Sequence, residues 1–175
     1  MSHVMIDIES LGKTPGCCLL SIGATYFDLF GSGVEKEFYA KIDFSDMKAK
    51  GFFIDPETVA WWKPQSGEAK QQLYKEKGSP IESVLIDLSL FLKDATRIWC
   101  QGANFDAPIL DATYTKLGLK TPWNFWDVRD TRTIYDVFGF DTKTLPRHGT
   151  YHNALDDCKF QVQCIQSAIQ SLGQG

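Results

Sequence analysis

The stretch His3–Glu9 constrains this chain most. Val4, Ile6 and Ile8 alternate there with Met5, Asp7 and Glu9. Successive side chains of a strand point to opposite faces. The alternation therefore predicts a strand with three apolar residues on one face and two carboxylates side by side on the other. Carboxylates that close repel and raise each other's pKa unless a cation lies between them. A divalent ion such as Mg²⁺ or Mn²⁺, which prefers carboxylate oxygens, is the simplest such cation. The competing reading is a solvated edge strand with two surface acids, and the rest of the chain decides between them.

A chain of 175 residues, 43% hydrophobic and 13% aromatic, suits one globular domain over 1–175. No apolar run is long enough to span a membrane, and nothing at the N-terminus resembles a signal peptide. The five cysteines are odd in number and form no C-x-x-C pair, which argues against disulfides and a zinc site and for the cytoplasm. There are 22 acids against 18 Lys and Arg, a net charge of −4. Proteins that grip duplex DNA through its phosphates usually carry a basic face. Either this chain binds no nucleic acid, or it grips a short single-stranded piece through bound metal ions.

Gly and Pro mark a loop after Glu9. Cys17–Asp28 reads as a second strand, Gly31–Gly33 as a hairpin turn and Val34–Ile42 as a third strand, together an antiparallel meander. Asp55 is a candidate N-cap for a short helix ending at Trp62, with Pro56 at its first position. Ser66 could cap a second helix, Glu68–Lys77. Trp61 and Trp62 point in different directions on a helix. One reading buries one and half-covers the other; the sharper one makes one a stacking platform for a base. Ile81–Lys93 has helical apolar spacing, and Arg97–Cys100 reads as a short buried strand. Asn104 looks like the N-cap of the next helix, with Asp106 and Pro108 in its first turn, where the helix dipole favours an acid. A further helix is expected from about Asp130, itself a cap or an arginine partner rather than a ligand. Gly139–Gly149 reads as a polar loop with Lys143, Arg147 and His148.

The last helix leads through Tyr151–Cys158 into Phe160–Leu172. Leu155, Cys158, Val162, Ile165, Ile169 and Leu172 form one apolar stripe. At about 100° per residue, Asp157 lies roughly 100° from the stripe's centre and Asp156 roughly 160°. Asp156 is therefore expected to face water, and Asp157 to meet acids from the sheet. His152 can approach the same place from the loop before the helix, as a candidate general base.

Asp7-x-Glu9, then Asn104-Phe105-Asp106, then His152 five residues before Asp157, in this order, resemble the DEDD superfamily of 3′–5′ exonucleases in its histidine-containing branch. The likeness covers nearly the whole chain. Thr58–Ser66 and Phe125–Thr133 look like the subgroup of T-even phage exonuclease A and small bacterial exoribonucleases. The resemblance implies an α/β, ribonuclease H-like fold, a mixed sheet with an antiparallel meander and helices on both sides. It implies two ions about 4 Å apart that activate water and stabilise the leaving 3′ oxygen. Asp7, Glu9 and Asp157 would hold the first; Asp7 would bridge to the second, with Asp106. His152 would take the proton from the water. Setting the four acids aside leaves 18 acids against 18 Lys and Arg, so two Mg²⁺ would balance the site.

Ser10, Leu11 and Gly12 would hold the terminal nucleotide, with Trp61, Trp62 and Asn104 as further substrate contacts. The expected partner is a single-stranded DNA or RNA 3′ end, with DNA slightly preferred on the phage likeness. An exoribonuclease and a catalytically idle nucleic-acid-binding module are the alternatives. Several relatives are dimers, so a homodimer stands beside the monomer.

Overall fold

The computed structural model describes residues 1–65, 67 and 77–171. The helix expected over Glu68–Lys77, its cap Ser66, and Leu172 at the end of the last stripe lie outside the described residues. Five strands form one mixed sheet in the order β3-β2-β1-β4-β5. They are β1 (His3–Ser10), β2 (Leu19–Phe27), β3 (Glu37–Lys41), β4 (Arg97–Cys100) and β5 (Val128–Asp130). The first three make the expected meander, each antiparallel to the next. β4 and β5 add in parallel on the other side of β1. The Asp-x-Glu strand is thus central, and the solvated-edge reading fails.

Six α-helices are described: α1 (Phe44–Ala49), α2 (Pro56–Trp62), α3 (Ile81–Phe91), α4 (Asp106–Lys116), α5 (Thr131–Phe138) and α6 (Ala154–Gln170). They cover both faces of the sheet, because β1 buries apolar side chains on both. Val4, Ile6 and Ile8 pack with Leu85, Leu88 and Leu110 from α3 and α4. Met5 packs with Trp99, Tyr135 and the α6 residues Cys158, Val162 and Ile165. No helix among the described residues is long and apolar enough to cross a membrane.

Asp55 caps α2 with Pro56 at its start, and Asp130 caps α5, as the sequence predicts. The structure corrects three readings. Phe105, not Asn104, is the N-cap of α4, and no side chain caps that end. The α1 helix, capped by Asp43, and the three-residue β5 are additional elements. Asp156 does not simply face water: its carboxylate accepts from the Thr150 N–H at 2.9 Å. The loop before α6 folds back over the helix and takes up the face that the periodicity leaves to solvent.

Candidate active site

The acids meet along the far half of β1, past the point where β4 stops pairing with it. Pairing of β1 with β4 covers only His3 to Met5, so the far half of β1 has a free edge there. Asp106, at the start of α4, occupies it, accepting from the Ile8 N–H at 3.2 Å. Asp106 is therefore buried at 2% exposure because it serves the backbone of the strand that carries the other two acids.

The α6 helix brings the fourth acid. Asp7 lies opposite Gly23 across the β1–β2 pair. A Cβ on Gly23 would stand 2.3–2.5 Å from the backbone of Ala154 and Leu155. Glycine thus lets the first turn of α6 rest directly on the sheet, which puts Asp157 beside Asp7 and Glu9. One turn later, Gln161 donates to Asp7 Oδ1 at 2.8 Å and orients that carboxylate.

His152 sits on the loop just before α6 and is the one non-glycine among the described residues with positive φ, 61°. Such strain persists where the surroundings hold it. Here the ring stands edge-on to Trp61 and Trp62, with centroids 4.9 and 5.8 Å away. Ligand atoms of Glu9, His152 and Asp157 all lie within 4.8 Å of one another. All five expected residues, Asp7, Glu9, Asp106, His152 and Asp157, line one cavity of about 490 Å³.

Electrostatics follow from burying like charges together. Burial, and then the charges of Asp157 and Asp106, push the Glu9 carboxyl up to about 8. Burial also raises Asp106, to about 7, against the opposing Ile8 N–H bond. Asp7 is pushed well above the carboxylate range by burial and by Asp106, Asp157 and Glu9. Burial raises Asp157 too, with Arg147 opposing. His152 is held below its ordinary value by burial, although Asp157 pulls the other way.

The expected substrate contacts divide. Ser10, Gly12, Trp61 and Trp62 line the cavity. Trp62 is buried, its Nε1 donating to the Ser10 carbonyl at 3.0 Å, whereas Trp61 is 48% exposed. Leu11 packs against the core. Asn104 lines a separate groove with Pro108, Trp123 and Phe125, not the acid cavity.

Sequence reasoning missed Gln161, Gly23 and the role of Arg147. Arg147 forms an ion pair with Asp157 while its guanidinium lies 4.0 Å from the Tyr151 ring centroid and 5.0 Å from that of Phe160. It supplies the acids with one internal counter-charge. A glycine inside an otherwise apolar strand and a glutamine on the buried side of an amphipathic helix were the available signals.

Comparison with known proteins agrees with this geometry. Residues 2–169 match the 3′–5′ exoribonuclease Rv2179c-like domain. The exodeoxyribonuclease of Enterobacteria phage T4 is 25% identical, over 97% of this chain and 90% of its own. Among solved structures, the cell-death related nuclease CRN-4 superposes with a TM-score of 0.69 at 13% identity, covering 97% of this chain and 64% of its own. The nuclease domain of 3′hExo, a DEDDh family member bound to rAMP, gives 0.64 at 12% identity, with 97% and 92% covered. E. coli exonuclease I, in complex with a dA16 oligonucleotide, gives 0.68 at 15% identity, over 99% of this chain and 42% of that one. The chain thus spans less than two thirds of CRN-4 and of exonuclease I. The fold is the ribonuclease H-like one that the motifs imply, and the chain belongs to the family of 3′–5′ exoribonuclease Rv2179c-like domains.

Proposed function

We propose that this chain, acting as a single exonuclease domain, removes nucleotides one by one from the 3′ end of single-stranded nucleic acid with divalent metal ions. The observation that carries this reading is the convergence of Asp7, Glu9, Asp106 and Asp157, from one strand and two helices, in one cavity with His152. The residues fit such ions. Four carboxylates offer hard oxygen donors of the kind Mg²⁺ and Mn²⁺ prefer. Burial, and after it the charges of Asp157 and Asp106, lift Glu9 to about 8, and the repulsion among the four is relieved when cations enter. Two ions, held by the four acids, would supply positive charge that polarises the scissile phosphate and stabilises the leaving oxygen.

The protein's own groups do the rest. His152, neutral because burial lowers its pKa, accepts a proton from the attacking water at an imidazole nitrogen. Trp61 and Trp62 fix the plane of that ring. The exposed part of Trp61 offers a face on which the terminal base can stack, and Ser10 and Gly12 form the adjoining wall for its sugar. All five cysteines are free and buried, which supports a reducing, cytoplasmic setting.

The family description points to RNA and the phage relative to DNA. Matched DNA and RNA strands, labelled at the 5′ or the 3′ end and digested with Mg²⁺, test the reading and assign the sugar. Release of the 3′ label as a mononucleotide, with stepwise shortening of the 5′-labelled strand, is expected. Internal cuts, or loss of the 5′ label first, would overturn it. Light scattering on the same preparation separates the monomer from the homodimer.

A further inference from the structure

The cavity has two ends with different chemistry. At one end His152 stands under Trp61 and Trp62, with Glu9 and Asp157 within reach. At the other lies Asp106, and beside it Arg132, in the first turn of α5. Arg132 acts electrostatically on Asp106, whereas the charges acting on His152 come from Asp157 and Arg147. Its guanidinium lies over Gly102: a Cβ there would be 2.9 Å from Nη1. Gly102 has a φ of 106°, and its N–H and that of Ala103 are tied to the Asp130 carboxylate at 3.2 and 3.0 Å. The shelf under Arg132 is therefore fixed.

Two other cations at the site among the described residues are engaged. Arg147 pairs with Asp157 and Lys13 with Glu57. Arg132 is exposed, and among the described residues no carboxylate lies within ion-pair distance of its guanidinium. An exposed cation that lines an acidic cavity and has no ion-pair partner among the described residues suits an anion that arrives with the substrate.

In-line displacement sets which anion. The nucleophile enters opposite the leaving oxygen. With His152 activating the water, the leaving 3′ oxygen departs toward the Asp106 end, and the remaining strand continues past Arg132. We propose that Arg132 binds the phosphodiester one nucleotide upstream of the scissile one, and so positions the strand for cleavage from its 3′ end. This rests on the reading of the site as a 3′–5′ exonuclease with His152 as base.

The test uses short single strands, each with one neutral methylphosphonate, either at the linkage just upstream of the scissile phosphate or several linkages further. In the wild type, the near substitution raises KM. Arg132→Gln raises KM about tenfold on the unmodified strand with little change in kcat, and it no longer responds to the near substitution. Both proteins respond alike to the distant one. The dependence of log KM on log salt becomes shallower by about 0.7 in the variant. Arg132→Lys recovers part of the loss, and thermal unfolding of both variants matches the wild type. If wild type releases 3′ nucleotides but Arg132→Gln stays as sensitive to the near methylphosphonate, the phosphate contact is wrong and the exonuclease reading stands. If wild type releases none, that reading falls and takes the contact with it.

Discussion

His152 and Asp157 were legible in the sequence because their relation is local: five residues, one loop and the start of one helix. Gln161 and Arg147 were not, because their effect arises only when α6 meets β1 and a loop folds over the helix. The same loop changes the expectation for Asp156, whose bond to Thr150 helps seat the segment carrying His152. Three substitutions separate these roles. Asp157→Asn should abolish metal-dependent cleavage and weaken Mn²⁺ binding while the protein stays folded. His152→Ala should lose about 10²- to 10⁴-fold in turnover, the usual cost of removing a general base, but keep its Mn²⁺ affinity because all four acids remain. Asp156→Ala should also keep Mn²⁺ binding and lose less turnover than His152→Ala. Calorimetric Mn²⁺ titration beside kcat decides each case, and a His152→Ala variant with wild-type turnover would remove the base assignment.

At the level of elements, the meander, the capped α2 and the apolar stripe of α6 could be read because each is encoded by its own periodicity and end signals. The α1 helix and β5 escaped because six and three residues carry little periodicity. Asn104 was misplaced for a related reason. The Asp106 carboxylate reaches across to Ile8, and nothing in a one-dimensional pattern distinguishes that from a helix start capped one residue earlier. The seating of α6 on Gly23 is the structural choice on which the site depends most. Gly23→Ala places a methyl group against main-chain atoms that cannot rotate away. Overpacking of this kind costs about 1–3 kcal/mol. The variant should melt earlier and bind Mn²⁺ more weakly, since Asp157 moves with the helix. Unchanged Mn²⁺ affinity in a destabilised Gly23→Ala would show that the acids do not need this seat.

For the whole molecule, gathering four acids makes stability depend on pH and on metal. Glu9 and Asp106 are raised in the folded chain to about 8 and about 7, from ordinary values of 4.5 and 3.8. Between those limits the folded chain holds protons that the unfolded chain has released. Their contribution is therefore complete below about pH 4 and lost as pH rises through about 8. Metal-free protein should melt at a lower temperature at pH 8.5 than at pH 5.5. Mg²⁺ should restore the loss at pH 8.5, because a ligand that binds only the folded state stabilises it, and Glu9→Gln should flatten the metal-free dependence. A metal-free melting temperature that rises over this range would contradict the electrostatic picture.

The central claim is that these converging carboxylates make a metal-dependent site working from the 3′ end. It is tested most directly by following a 5′-labelled single strand over time with wild type and Asp7→Asn, in Mg²⁺ and in chelator. Wild type in Mg²⁺ should shorten the strand one nucleotide at a time from its 3′ end, and both chelated wild type and Asp7→Asn should leave it intact. Equal shortening by Asp7→Asn, or by wild type in chelator, would contradict the claim.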